Sequence, residues 1–447
     1  MHGSYEFKEN DPLLQDALWV NDGKGNFSPA DLPTEKANGQ VVKAADFDGD
    51  GDLDLFVGGN VLPRSYPKPD RSFLLRNDTK VADKPIFTDV TKTICPELAH
   101  FGIINDAIWS DFDNDNKPDL IIASEWRPIT FFKNDAGKLI NTTAQTGVGD
   151  KIGWWTSLAA ADFDNDGDTD YIGGNYGKNV YFKCTSGEPL SIYAKDFDNN
   201  GNLDPFISCF WRDTAGNRQE FFYHTRDDMI KQLVLIRRKF DTYAAFGTTP
   251  APKVFTPEEL KDALILKANC LESVFLENKG GGKFSLTNLP TAAQLAPLRG
   301  MMPFDVDADG LLDLILIGND YGMELLQGRA DAFNGLILKN LGSHKFEPLS
   351  LNETGFCVPA DARALSFLHR ADGQPLILAT QNRARLKVFV SKNKALKVVR
   401  PQKGHNYADI ILKNGQKRRH EFYYGHSFLS QHPLSISIDD SVERGGF

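Results

Sequence analysis

The sequence predicts an all-β fold, a β-propeller of about seven four-stranded blades with a helical insertion. Three observations predict it: an Asp-rich nonapeptide occurs five times, each copy runs into a short apolar segment, and hairpin units lie between copies. The copies are Asp46–Asp54 (DFDGDGDLD), Asp111–Asp119 (DFDNDNKPD), Asp162–Asp170 (DFDNDGDTD), Asp196–Asp204 (DFDNNGNLD) and Asp305–Asp313 (DVDADGLLD). Their order along the chain defines loops one to five.

Carboxylates in this register suit a hard, oxygen-seeking cation, Ca²⁺ above all. Side-chain ligands are expected from positions 1, 3, 5 and 9 of each loop. These are Asp46, Asp48, Asp50 and Asp54; Asp111, Asp113, Asp115 and Asp119; and Asp162, Asp164, Asp166 and Asp170. Loops four and five supply Asp196, Asp198, Asn200 and Asp204, then Asp305, Asp307, Asp309 and Asp313. A backbone carbonyl is expected from position 7, which explains why Asp52, Lys117, Asp168, Asn202 and Leu311 all occur there. Gly at position 6 permits positive φ at the bend, and Asn116 takes that place in loop two. Asn200 removes one formal charge from loop four and lowers its expected affinity.

The loops open like EF-hands but fail that test, which needs a bidentate Glu at position 12 and flanking helices. Position 12 is Val57, Ile122, Gly173, Ile207 or Leu316, and the segments that follow read as buried strands. The chain carries 60 acids against 50 bases, a net charge of −10, and five Ca²⁺ ions would neutralise it. The acidity therefore needs no basic partner, and folding should couple to the metal.

The second unit is a strand followed by a turn rich in Asn, Asp and Gly, as in Leu18–Phe27, Phe131–Leu139, Phe275–Phe284 and Leu338–Phe346. One Asp-loop plus one such hairpin makes about four strands, the content of a blade. An eroded sixth copy at Leu368–Leu378 keeps only Asp372-Gly373 and is expected to bind no metal. The expected division is a propeller over residues 1–404, a helical insertion near 225–267, and a small β-rich tail over 405–447. Within the insertion, Thr256-Pro257-Glu258-Glu259 is a helix-start signal. The amino-terminal hairpin is expected to close a blade as a shared strand.

No apolar run reaches the roughly 20 residues needed to span a bilayer, and no signal segment opens the chain, which reads as a piece of something longer. Five widely spaced cysteines show no metal-site pattern; Cys184 and Cys209 either pair or stay buried as thiols.

The Asp-Phe-Asp-x-Asp-Gly-x-x-Asp loops followed by Leu-x-Gly-Gly resemble the FG-GAP/VCBS repeats of integrin-α-like propellers. Residues 410–431 are similar to the ASPIC/UnbV segment that follows such repeats. The resemblance implies an extracellular or cell-surface location, calcium-stabilised blades and no established catalytic activity.

Counting from each loop start places Trp126, Tyr176, Trp211 and Tyr321 just past the following strand, with Arg127, Lys178 and Arg212 beside them. Two readings stand: a shared face for a polysaccharide or a cell-surface protein, or aromatic packing between blades. Trp154-Trp155 reads as core. The rival class is a calcium-dependent polysaccharide lyase, for which Tyr176, Lys178, Arg212, His224 and Arg226 are the candidates. Nine scattered histidines and the lack of hydrolase or phosphate-loop patterns give no firmer catalytic signal. Nucleic acid is disfavoured by the acidic balance, with Lys417–His420 the only basic cluster.

Overall fold

The protein is described by a computed structural model covering residues 6–81, 84–323, 328–392, 397–402, 404–438 and 441–446. It is all-β, built from several antiparallel sheets. Five sheets of one plan follow one another. The first contains Gly39–Ala45, Asp54–Gly59, Phe73–Asn77 and Phe87–Asp89. The second contains Ile103–Ser110, Asp119–Arg127, Thr130–Asp135 and Lys138–Asn141, with short Gly153–Trp154 added. The third contains Ser157–Ala161, Asp170–Gly174, Val274–Asn278 and Phe284–Asn288. The fourth contains Leu298–Phe304, Asp313–Gly318, Leu336–Asn340 and Phe346–Leu349; the fifth has three strands, Ala362–His369, Pro375–Gln381 and Lys387–Val390.

In the first four sheets the Asp-loop joins strand one to strand two, and its position 9 Asp opens strand two. That Asp pairs across with the residue just before the loop: Ala45↔Asp54, Ser110↔Asp119, Ala161↔Asp170 and Phe304↔Asp313. Second strands such as Asp170–Gly174 and Asp313–Gly318 are buried throughout, because sheets cover both of their faces. This is why they read as continuous apolar runs. The glycines that end them mark close approach: a Cβ on Gly59 would strike the Arg71 carbonyl, and one on Gly318 the Pro297 carbonyl. First strands touch in succession from sheet one to sheet five, forming an inner row.

Neighbouring sheets are joined by a recurrent asparagine near the end of strand three. Asn134 Nδ2 donates to the Phe47 carbonyl of loop one (2.7 Å), Asn278 to Phe112 of loop two (3.0 Å) and Asn340 to Phe163 of loop three (2.7 Å). The same amides also donate to their own loops, at the carbonyls of Pro118, Thr169 and Leu312. Their backbone N–H groups bind the position 9 carboxylates of Asp119, Asp170 and Asp313. Rings at position 2 fill the same seams, with Phe47 stacked on Trp109 and Phe163 edge-on to Phe275 and Phe346.

Several expectations change. Among the described residues five sheets form the row, where about seven blades were expected, and loop four lies outside it. It joins Leu190–Lys195 to Asp204–Arg212 in a separate sheet completed by Arg218–Phe222 and Leu264–Ala268. This sheet is inserted between strands two and three of sheet three. The helices Arg226–Gln232, Leu235–Lys239, Tyr243–Gly247 and Pro257–Leu260 belong to the same insertion, the last with a Thr256/Glu259 capping box. The amino-terminal strands Leu18–Asn21 and Phe27–Ala30 pair with each other only, as a two-stranded sheet. The eroded copy is a tight turn of sheet five, closed by Arg370 and Gln374. All five cysteines are free thiols, Cys184 and Cys209 included.

At the carboxyl end, Tyr407–Leu412 pairs with Lys417–Glu421 and Val442–Gly446. Residues 421–431 run across the inner row. Glu421 accepts from Ser110 and Thr169, Ser427 accepts from Met301 N, and Gln431 O accepts from Ser366. Lys43, buried and ion-paired to Asp106 at 3.0 Å, donates to the Gly425 and Ser427 carbonyls.

Asn278→Ala should cost about 3 kcal/mol in urea unfolding, since it leaves two buried carbonyls without a donor. Asn77→Ala should cost about 1 kcal/mol, because the Asn77 amide bonds only within its own sheet, at Leu53 O.

Candidate functional site

Each loop is shaped by its own carboxylates. The position 1 Asp accepts from backbone N–H groups further along the loop: Asp46 from Gly49 and Gly51, Asp111 from Asp115 and Asn116, Asp162 from Asp166 and Gly167, Asp196 from Asn200 and Gly201, Asp305 from Gly310. Position 6 has positive φ throughout, from 66° at Asn116 to 96° at Gly167. Position 4 does too, at Gly49, Asn114, Asn165, Asn199 and Ala308, a regularity the sequence reading did not use.

The remaining carboxylate oxygens converge. Asp46, Asp48 and Asp50 place oxygens within 4.8 Å of one another, as do Asp111, Asp113 and Asp115; Asp162, Asp164 and Asp170; and Asp196, Asp198 and Asp204. Oδ1 of Asp113 and Oδ2 of Asp119 are buried and accept no hydrogen bond, and Asp119 is fully buried. An anionic oxygen left bare in this way fits a cation in the loop. An all-oxygen donor set of this kind fits Ca²⁺.

The loops differ in the residue before the clamp asparagine. Lys133 places its ammonium against Asp113 and Asp115, and Lys339 against Asp307 and Asp309. In sheet one Arg76 turns instead to Asp78 (3.0 Å). In sheet three the residue is Glu277. Loops two and five thus hold an internal counter-ion that a divalent metal would displace.

Burial pushes the position 9 carboxyls upward, Asp54 and Asp313 to about 7, Asp119 to about 8 and Asp170 to about 9. Neighbouring loop carboxylates add to the effect.

Of the aromatic residues counted from the loops, Trp126, Tyr176 and Trp211 come together in one hydrophobic cluster with Trp154. Trp126 is buried, donates from Nε1 to Tyr66 Oη (2.8 Å) and meets Trp154 edge-on. Tyr176 packs on the other side of Trp154, and Arg127 lies over the Phe101 ring. Lys178 pairs with Glu272 at 3.4 Å. Tyr321 stands apart on sheet four, its Oη near the Pro359 carbonyl. Trp154 and Trp155 are buried core, as the sequence suggested. Loop four belongs to the inserted sheet, yet its Trp211 packs against this same cluster, so the shared register marks a place of aromatic packing.

Trp211 and Arg212 also line, with His224 and Arg226, a cleft of about 620 Å³ between the inserted sheet and its helices. Tyr243 and Lys253 are among its other lining residues, and neither was singled out from sequence. Trp211 rests on Tyr181 and Tyr223. Arg212 is exposed and donates to the Gly216 carbonyl. Arg226 donates to Phe240 O and lies over the Tyr243 ring. One acid, Asp213, sits at the rim, its carboxyl held below the usual range chiefly by the Asn217 N–H. A second cleft, about 780 Å³, lies between loops one and two and the carboxyl-terminal strands. Its lining mixes Asp46, Asp111 and Glu421 with Lys117, Lys417 and Arg444, so it carries no single charge preference.

The FG-GAP-like repeat family matches residues 11–57 and 111–173, which include loops one, two and three. The match does not reach residues 410–431, where the ASPIC/UnbV resemblance lies. No curated protein sequence matches the chain. Among solved structures, the exotype rhamnogalacturonan lyase YesX is similar at 11% identity and a TM-score of 0.32, covering 86% of this chain and 59% of that one. Rhamnogalacturonan lyase YesW gives 11% and 0.30, covering 84% and 59%. The V. cholerae biofilm matrix protein Bap1 gives 8% and 0.25, covering 90% and 72%. The chain thus spans about three fifths of the length of the two lyases. TM-scores this low define neither topology nor function. Among the described residues no helix is long and apolar enough to cross a membrane.

The raised carboxyls set the pH response of the metal-free protein. Folded values of about 7 to 9 lie above the ordinary 3.8, so the folded state holds extra protons between these limits. Stability in chelator should therefore fall as pH rises from about 5 to about 8. Added Ca²⁺ should raise the melting temperature and flatten that fall. Melting curves with and without chelator across this range check it.

Proposed function

We propose that the chain is a calcium-stabilised β-propeller of the extracellular space, serving as a non-catalytic recognition module for an anionic polysaccharide. The five sheets in a row, the inner contacts of their first strands and the repeated loops support the propeller reading. In it, positions 1, 3, 5 and 9 of each loop hold Ca²⁺, with position 7 contributing its carbonyl. Bound Ca²⁺ would supply the positive charge that lets these carboxylates sit together.

The observation that carries the ligand class is the cleft where Trp211 and Tyr243 stand among Arg212, Arg226 and Lys253. Flat rings suit the faces of sugar rings, and guanidinium groups pair with carboxylates or sulfates in forked geometry. Trp126, Arg127, Tyr176 and Lys178 serve packing and pairing in this reading, and Tyr321 lies outside the cleft.

A catalytic reading has one specific support: His224 lines the same cleft as Arg212 and Arg226, and uronate elimination needs a base together with carboxylate-binding groups. Arg212→Ala and Lys253→Ala should each weaken binding to polygalacturonate or alginate by about tenfold, with melting unchanged. Equal binding by both variants removes the cleft from the reading. A rise in unsaturated-product absorbance on the same polymers, abolished by His224→Ala, would make the protein a lyase instead.

A further inference from the structure

Sheet three departs from its neighbours at one position. Where sheets two and four place Lys133 and Lys339 against the loop carboxylates, sheet three places Glu277. Glu277 is firmly held: Oε2 accepts from Ser285 Oγ (2.7 Å), and Oε1 meets the Lys279 ammonium and His344 Nε2, the latter at 2.7 Å. His344 comes from sheet four, in the turn between Leu336–Asn340 and Phe346–Leu349, and its ring stacks on Phe275. Its φ of 60° is left-handed, so the turn and not the side chain's preference sets where the imidazole stands.

The second ring nitrogen is the informative atom. His344 Nδ1 is buried, makes no hydrogen bond, and lies 3.9 Å from Asp164 Oδ2 of loop three. With Nε2–H donated to Glu277, Nδ1 presents a lone pair toward a carboxylate. Two electron-rich atoms facing each other beyond hydrogen-bond range repel unless a cation lies between them. Ligand bonds of about 2.0–2.2 Å to nitrogen and oxygen accommodate such a separation around one ion. Asp164 also shares the loop-three cluster with Asp162 and Asp170, so further oxygen donors are at hand.

We propose that loop three and His344 form a mixed nitrogen–oxygen centre for a zinc-type transition cation. Asp164 Oδ2 and His344 Nδ1 are ligands, and Glu277 orients the imidazole. Imidazole is a poor ligand for Ca²⁺ and a good one for Zn²⁺, Co²⁺ or Ni²⁺, so this one loop takes such an ion in preference to the Ca²⁺ that its oxygen pattern alone would hold. A carboxylate holding the far side of a ligating imidazole is a common way to fix its tautomer and raise its basicity. The acid in place of a lysine takes away the ammonium that loops two and five hold against their own carboxylates, while Lys279 pairs with Glu277 itself. The centre spans the seam between sheets three and four. The proposal rests on the reading of loop three as a cation site, but not on calcium binding by the other loops.

The test uses the full chain, stripped with chelator and then held in excess Ca²⁺. Calorimetry with Zn²⁺ should show a single tight equivalent, and Co²⁺ should give visible absorption bands of nitrogen–oxygen coordination. His344→Ala and His344→Asn, the latter suited to the left-handed turn, should each weaken Zn²⁺ binding by about a hundredfold and abolish the cobalt bands. Glu277→Gln should weaken Zn²⁺ binding by about tenfold. The Ca²⁺-dependent rise in melting temperature should persist in all three variants. Unchanged Zn²⁺ binding in both His344 variants overturns the proposal. So does a wild-type protein that takes up no Zn²⁺ yet shows a His344-dependent shift of melting with pH, since the imidazole would then be a protonated bridge. His344-dependent Zn²⁺ uptake without any response to Ca²⁺ would leave this centre standing and remove the calcium reading of the remaining loops.

Discussion

The side-chain amide near the end of the third strand in sheets two, three and four is the contact on which the row of sheets depends. Asn134, Asn278 and Asn340 each spend one N–H on their own loop and the other on the loop of the preceding sheet. Their carbonyl oxygens close their own turns, accepting from Gly137, Gly280 and Gly342. Every polar atom of a buried amide is thereby satisfied, and leaving one bare would cost about 1–3 kcal/mol. The distance between neighbouring sheets is therefore fixed by hydrogen-bond length and not only by side-chain volume. The same bonds hold the backbone of loops one to three from outside, so the shape of these carboxylate clusters is set partly by the next sheet along.

This arrangement makes charge a local matter. A net charge of −10 is concentrated where the backbone folds tightly around carboxylates, and the chain answers it differently from loop to loop. Loops two and five answer with lysine, loop one with an arginine that faces elsewhere, and loop three with another acid and an imidazole. Loops that share one sequence pattern thus need not share one affinity or one metal.

The Asp-loops were legible because carboxylate positions and turn positions recur in one fixed register. The clamp asparagines were equally visible in the hairpin units, yet they read as turn residues, since nothing local tells that a side chain reaches the neighbouring sheet. Loop four misled because sequence spacing does not reveal that a strand pair has been opened to admit other chain. Its flanking Trp211 and Arg212 were found, but their partners Tyr243 and Lys253 lie on helical segments without any repeat to count from. Glu277 and His344 escaped for a similar reason: each is a single departure from a pattern, and its meaning appears only when the two seams are brought together.

The inserted segment leaves and re-enters sheet three at adjacent points. Gly173 and Val274 are cross-strand partners, and the neck is tied by Gly177 N–H to the Leu271 carbonyl. About a hundred residues therefore separate two positions that must pair, yet closing so long a loop adds little entropy beyond a short one, each doubling costing about 0.6 kcal/mol. A longer segment would thus cost the frame little more, whereas a bare turn would uncover Trp126 and Trp154, which pack in one cluster with Phe182, Leu190 and Leu271 of the insertion. What the segment carries beyond that packed face can change while the clamps and loops of the frame stay as they are.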